Sequence, residues 1–442
     1  MAGTERQLTL FDEPDRPPGP DRKPRTSPAP VSPHVSLEAV LGELERFDAF
    51  GTATQRGEMA LPSGRAVPVF LNEFWTARQR QASRLHEISY RACFKPQLPR
   101  FFIERFTSPG DAVYDPFSGR GTTALEAALL GRVPWATDIN PLSAILVAPR
   151  LDPVDPTRLR QRLESLDLDR DVERREDLLV FYHPETLQEI SALRQYLIDR
   201  RDAGTLDAAD AWLRMVATNR LTGHSTGFFS VYTLPPNQAT NVKAQQRINA
   251  KRNQVPPRRE VPKIILKKAA HLQSDLTPEL RRNLDAVRGR ARFLTASADD
   301  TPDLPDDSVN LVVTSPPFLN AVDYRFDNWL RGWFCGIDVA SLLIWQMGNL
   351  EKWEQAMERV FRELHRVLVP GGIVAFEVGE VNKGSLNLEE HVCAAAERAG
   401  LEAAAVLINA QDFTKTSNCW GITNLERGTN TNRISLLRKT AG

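Results

Sequence analysis

Ala112-Val113-Tyr114-Asp115-Pro116-Phe117-Ser118-Gly119-Arg120-Gly121-Thr122-Thr123-Ala124-Leu125 is the stretch whose reading decides the fold. A short apolar run, Ala112 to Tyr114, reads as a buried strand. It breaks at Asp115-Pro116 and enters a Gly-x-Gly turn, after which Thr122 to Leu130 reads as a helix. Strand, glycine turn and helix in that order bring a ligand against bare backbone at a helix N-terminus. Gly119 and Gly121 permit this approach because they lack a side chain and tolerate positive φ.

Working outward, Pro134 to Thr137 forms a second strand ending at Asp138. A carboxylate there is placed to accept both ribose hydroxyls of an adenosyl cofactor. Further on, Val309 to Thr314 is a buried apolar strand leading directly into Ser315-Pro316-Pro317-Phe318. Glu351 to Leu368 has the periodicity of an amphipathic helix, Pro370-Gly371-Gly372 closes it, and Ile373 to Val378 is a further apolar strand. Strands alternating with helices imply an α/β fold with a mostly parallel sheet covered on both faces. In such sheets ligands bind beyond the carboxyl ends of the strands, so the Ser-Pro-Pro loop faces the same crevice as the glycine turn. Two prolines stiffen this loop and leave carbonyls without competing N–H groups. Ser315 and those carbonyls suit an amino group, and Phe318 offers a face for stacking a base.

Asp115 to Thr122 resembles motif I of the DNA amino-methyltransferases, and Thr314 to Phe318 resembles their motif IV in the Ser-Pro-Pro form typical of cytosine-N4 enzymes. Phe94-Lys95-Pro96-Gln97-Leu98-Pro99 looks like motif X, and Trp135 to Pro141, which includes Asn140, looks like motif II. Leu368 to Gly372 and Asn430 to Ile434 are similar to later segments of the same enzymes. The resemblance covers about residues 70–150 and 290–440. It implies a Rossmann-like class I methyltransferase fold with a mostly parallel seven-stranded sheet. It also implies S-adenosyl-L-methionine as cofactor, held by Phe94, Lys95, Pro96, Asp115, Pro116, Phe117, Gly119, Gly121, Thr122, Asp138 and Asn140. Ser315, Pro316, Pro317 and Phe318 become the catalytic set, acting on a cytosine amino group in double-stranded DNA. An acid contacting the cofactor adenine is expected just after Phe293-Leu294-Thr295; Ser297 holds the usual place, and Asp299 is the preferred substitute over Asp300. Phe318 stands where Tyr is commoner, and motif I precedes motif IV, the reverse of many cytosine-N4 enzymes. Adenine N6, an RNA amino group, a protein glutamine and a non-catalytic DNA- or clamp-binding role are the alternatives.

The distance from Asp138 to Val309 exceeds an ordinary doubly wound connection, so something is inserted. The sequence divides into a Pro-rich tail (1–36), a first catalytic part (37–152), a mainly helical target-recognition insertion (153–289) and a second catalytic part (290–442). Residues 36–92 look helical, interrupted near Pro62 to Pro68. Charge is balanced, 56 basic against 56 acidic residues, so DNA contact must come from local clustering. Between Asn237 and His271 the only acid is Glu260. The basic residues Lys243, Arg247, Lys251, Arg252, Arg258 and Arg259 there are the candidate phosphate contacts. Thr222 to Phe229 has the mix of a binding loop, and Trp329 and Trp333 are candidate pocket residues, although helical spacing equally places them in a core.

Gln7-Leu8-Thr9-Leu10-Phe11 resembles the bacterial sliding-clamp-binding pentapeptide, with Gln7, Leu8, Leu10 and Phe11 as its anchors. The four cysteines are far apart and none sits in a Pro-Cys loop, so neither a zinc site nor a carbon-5 nucleophile is expected. No metal is expected from the histidine spacing. No apolar stretch approaches a membrane span, and a cytoplasmic location is expected.

Overall fold

A computed structural model describes residues 36–76, 82–91, 93–233, 240–317, 324–345, 349–379, 387–410 and 431–440. The Gln7–Phe11 island and Phe318 lie outside the described residues. The chain begins with helix α1 (Leu37–Glu45), strands β1 (Gln55–Ala60) and β2 (Ala66–Asn72), and α2 (Gln97–Phe106). The glycine-turn unit follows as β3 (Ala112–Asp115), α3 (Thr122–Leu129) and β4 (Val133–Asp138). Seven helices come next: α4 (Leu142–Val147), α5 (Pro156–Glu164), α6 (Pro184–Asp202), α7 (Ala208–Thr218), α8 (Val242–Arg252), α9 (Val261–Gln273) and α10 (Pro278–Arg288). The chain then forms β5 (Arg292–Thr295), β6 (Val309–Thr314), α11 (Tyr324–Cys335), α12 (Leu350–Val367), β7 (Leu368–Val378), α13 (Leu388–Arg398), β8 (Glu402–Ala410) and β9 (Thr431–Arg438).

Among the described residues the sheet has nine strands, in the order β1-β2-β8-β9-β7-β6-β3-β4-β5. The stretch from β8 to β5 is the seven-stranded sheet of the class I methyltransferase fold, with β9 antiparallel to both β7 and β8. The order reverses between β3 and β6, which pair in parallel through Val113↔Leu311 and Tyr114↔Val312. That reversal opens a crevice at their carboxyl ends. Two strands beyond the expected seven come from the segment read as helical. β1 and β2 form an antiparallel hairpin around Ser63-Gly64, and β2 continues the sheet by pairing in parallel with β8. Pro68 sits one residue before that parallel pairing begins at Val69, where its missing N–H costs no bond to β8. The Pro370-Gly371-Gly372 segment lies within β7, with a register shift against β6 between Val309 and Leu311.

Both sheet faces are covered. One apolar cluster joins α1 and α2 to Val113, Val313, Ala375 and Ile434. The other joins Tyr114, Val312 and Phe376 to the inserted helices through Leu159, Trp212, Ile265 and Leu272. The helices between β4 and β5 therefore share their core with the sheet. Among the described residues no helix is long and apolar enough to cross a membrane.

Candidate functional site

The glycine turn is fixed by contacts that start in the backbone. Ser118 N–H donates to the Thr137 carbonyl (3.0 Å) and Gly121 N–H to the Ser118 carbonyl (2.7 Å). Gly121, at φ 75°, is the left-handed residue from which α3 starts. A Cβ there would lie 1.9 Å from Val147 Cγ2, so glycine is required sterically as well as conformationally. Gly119, at φ 52°, lies beside the Tyr90 ring and presents its backbone to the crevice.

Two carboxylates flank this turn. Asp115 ends β3 and is almost fully buried; its Oδ1 accepts from Thr314 Oγ1 (2.6 Å) and Phe117 N–H (3.1 Å). Burial pushes its pKa up to about 7, against the lowering effect of those hydrogen bonds. Asp138 ends β4; Oδ2 accepts from Gly119 N–H (2.8 Å) and Oδ1 from Asn140 N–H (2.9 Å). Burial raises it too, opposed by the two backbone donors. Both oxygens of Asp138 are thus oriented while each keeps a lone pair for a ligand.

β3, β4, β5 and β6 all end at one open cleft. Asp115, Pro116, Phe117, Gly119, Thr122, Asp138 and Asn140 line it, and so do Phe94 and Ser315-Pro316-Pro317. The structure therefore brings the glycine turn and the Ser-Pro-Pro loop into one compartment. Trp353 of α12 is buried and its Nε1 donates to the Pro317 carbonyl (3.3 Å), which fixes the loop from behind. Two buried polar atoms in the wall, Ser118 Oγ and Asn140 Nδ2, have no hydrogen-bond partner among the described residues. Such atoms cost free energy unless a ligand or water satisfies them.

Other expected residues lie elsewhere. Gly121 acts beneath the turn and does not line the cleft; Lys95 and Pro96 lead into α2 rather than into the wall. Lys95 is held below the usual lysine range by burial and by the nearby Arg120 charge. Asp299 lies apart from the wall: Arg359 Nε (2.9 Å) and Ser297 hold its carboxylate, and Ser297 and Ala298 line the cleft. Trp329 packs on Phe181 (6.2 Å between centroids) and Trp333 under Arg194, so both belong to the contact of α11 with the insertion. Phe228 and Phe229 are likewise buried, with Arg220 over the Phe228 ring.

Sequence reasoning missed two parts of the wall. Tyr90, Arg91 and Cys93 form one side. Their segment is strapped by buried guanidinium groups: Arg120 donates to the Ile88 carbonyl (2.8 Å), Arg150 to Leu85 (3.1 Å) and Arg331 to Ser89 (3.1 Å). Leu343, Ile344 and Trp345 form the other, with Trp345 edge-on to Phe117 at 6.1 Å. The Ser89-Tyr90-Arg91 run before Phe94 was a readable signal; the 343–345 stretch gave none.

The basic insertion segment divides in two. Lys243, Arg247 and Lys251 are exposed at helical i, i+4, i+8 spacing along α8, and have no ion-pair partner among the described residues. Arg252 is exposed with its guanidinium over Tyr232 (3.9 Å). Arg258 is committed to Glu185 (2.7 Å) and Glu189, and Arg259 is half-buried with its N–H on Thr186 Oγ1. Those two are not available as free phosphate contacts, because insertion acids already hold one and packing the other. Among the described residues no cluster of His, Cys, Asp and Glu has a metal-binding arrangement.

The chain is similar to known DNA methyltransferases over part of its length. Residues 53–143 match the DNA methylase family. The type II methyltransferase M.BsoBI of Geobacillus stearothermophilus is 24% identical over 275 residues, 57% of this chain and 52% of that protein. M.MvaI of Kocuria varians is 35% identical over 81 residues, 18% of each chain. M.MjaII of Methanocaldococcus jannaschii is 30% identical over 88 residues, 20% of this chain and 17% of the other. The chain thus spans about half the length of the first relative and under a fifth of the other two.

Proposed function

From its match to the DNA methylase family over residues 53–143 and the geometry of the cleft, we propose that this chain transfers a methyl group from S-adenosyl-L-methionine to the N4 amino group of cytosine in DNA. The observation that carries this reading is the single compartment in which Gly119, Asp138 and Ser315-Pro316-Pro317 meet. A donor held by the turn and an acceptor held by the Ser-Pro-Pro loop would share it, and proximity supplies much of such catalysis.

The residues present fit the cofactor. Asp138, oriented by two backbone N–H groups, would accept its ribose hydroxyls, and Asp115 would face its ammonium group. Ser118 Oγ and Asn140 Nδ2 are buried polar atoms in want of partners. When bound, the cofactor supplies an electrophilic methyl group on a sulfonium.

A base paired within a duplex cannot reach this cleft, so the target must be extruded. Ser315 Oγ and the Pro316 carbonyl then accept the two amino N–H bonds and direct the nitrogen lone pair inward. The Pro317 carbonyl already takes the Trp353 indole N–H, so Pro316 is the carbonyl left for the base. Lys243, Arg247 and Lys251 on α8 would neutralise phosphates. Serine at the head of the loop favours cytosine N4 over adenine N6.

The test is nucleoside mass spectrometry of DNA from a methylation-free host expressing the protein or its Ser315→Ala variant. N4-methylcytosine, lost in the variant, is the expected result. N6-methyladenine would keep the reaction and overturn the base. Unmodified DNA with intact cofactor binding would move the substrate to RNA or protein.

A further inference from the structure

Ser315 does not stand alone. It follows Thr314 at the end of β6, and Thr314 is the register partner of Phe376 on β7. The next residue on each strand therefore lies side by side: Ser315 and Glu377. The Glu377 side chain is buried beside Ser315, and its Oε1 accepts from the Asn432 amide of β9 (3.0 Å). A buried carboxylate costs several kcal/mol unless its bonds compensate, and here the two neighbours are neutral side chains. Placing such a group behind the head of the loop has a chemical use.

Methyl transfer to an exocyclic amine forms N–CH₃, breaks S–CH₃ and leaves the nitrogen with a surplus proton. Ser315 can accept that proton only by passing its own hydroxyl proton onward. We propose that Glu377 is the onward acceptor, so that the amine proton moves to Ser315 Oγ as the Ser315 proton moves to the Glu377 carboxylate. The balance closes: the sulfonium becomes a neutral thioether, the base becomes a neutral methylamine, and the surplus proton resides on Glu377 until solvent removes it. Glu377 is a positioning residue in the resting cleft, placed to orient the Ser315 hydroxyl with its lone pairs toward the base. The inference rests on the amino-methyltransferase reading of this cleft.

The surroundings suit a proton acceptor. Burial raises the Glu377 pKa above the usual carboxylate range, and its neighbours Ser315 and Asn432 only partly offset this. Of the charged groups on neighbouring elements, Arg433 on β9 is turned to Glu389 of α13, and Asp115 on β3 is bonded to Thr314. Among the described residues no cation is bonded to Glu377, so its proton affinity is not suppressed.

The experiment is single-turnover methylation of DNA at saturating cofactor from pH 5 to 9, comparing the wild type with Glu377→Gln. Glutamine keeps an acceptor for the Ser315 hydroxyl but takes no proton. The expected result is an acid limb in the wild-type rate, and a variant slowed about 100-fold with that limb abolished. A wild-type rate that stays flat across the range overturns the relay without any variant. A soluble, cofactor-binding Glu377→Gln protein with wild-type rate and profile overturns it too. If instead the wild type methylates no DNA, the reading of the cleft itself fails.

Discussion

Asp115→Asn separates what the cleft costs from what it does. Asp115 is buried at the end of β3, and its Oδ1 accepts from Thr314 Oγ1 and Phe117 N–H. An asparagine carbonyl can keep both bonds, while its amide nitrogen replaces the oxygen directed away from them. The carboxyl pKa rises from 3.8 to about 7 on folding, which corresponds to roughly 4 kcal/mol of strain when the group is ionised. For a raised acid the sign is fixed. The native state holds the proton more tightly, so stability is full below pH 3.8 and is lost as pH rises toward about 7. The asparagine variant escapes this loss. Urea unfolding should show it more stable than the wild type by about 2 kcal/mol at pH 5, rising to about 4 above pH 7. Binding of a cationic ligand should move the opposite way, because the ionised carboxylate is what would attract it. Calorimetric titration with S-adenosyl-L-methionine should find weaker binding in the variant and, in the wild type, proton release on binding near neutral pH. A variant no more stable than the wild type at pH 8, with an unchanged slope against pH, would falsify the claim that burial sets the Asp115 pKa.

Two further outcomes follow from the packing and the charge. Gly121→Ala places a Cβ 1.9 Å from Val147 Cγ2 at φ 75°. Left-handed strain and overpacking together should destabilise by roughly 2–5 kcal/mol, read as a lower urea midpoint. A midpoint within experimental scatter of the wild type would mean that the α3 start relaxes freely. Replacing Lys243, Arg247 and Lys251 with alanine should lower the slope of log affinity for DNA against log salt by up to about 2.7, at roughly 0.9 per phosphate contact. Cofactor affinity should not change; an unaltered slope would move the docking surface off α8.

What the sequence disclosed was local, and what it hid was tertiary. Asp115 to Gly121 could be read because a strand, a turn and a helix are encoded by neighbours within about a dozen residues. Asp138 and Ser315-Pro316-Pro317 were readable because each directly ends an apolar strand. The β1–β2 hairpin was misread because Pro68 looked like a breaker, and only pairing with β8, more than 300 residues away, shows why it is tolerated. Asp299 was preferred over Asp300 as the acid standing in for Ser297; that Arg359 of α12 holds the Asp299 carboxylate is a tertiary contact the sequence does not show. Trp345 lies beyond any local rule, since it reaches the wall only when the chain after α11 folds back against Phe117. Glu377 was hidden for the same reason: it reads as one polar residue in an apolar strand until β6 pairs beside it.

Three carboxylates end up around this crevice, Asp115, Asp138 and Glu377, near the carboxyl ends of β3, β4 and β7. Burial raises the pKa of each, and each is bonded by neutral donors: a hydroxyl and a backbone N–H, two backbone N–H groups, or a side-chain amide. Among the described residues no lysine or arginine is bonded to any of them, although Arg91, Arg120 and Arg150 lie in or just behind the wall. Those guanidinium groups are spent on backbone carbonyls and on Asp327 instead. Keeping cations off the carboxylates leaves the crevice short of positive charge in a region of low dielectric, where unit charges interact strongly. A ligand with an ammonium and a sulfonium supplies that charge. In the proposed reaction, transfer would remove one of the two, so the attraction that holds the donor would be weaker for the thioether product. On the proposed reaction, the same arrangement would favour entry of the charged donor and release of its product.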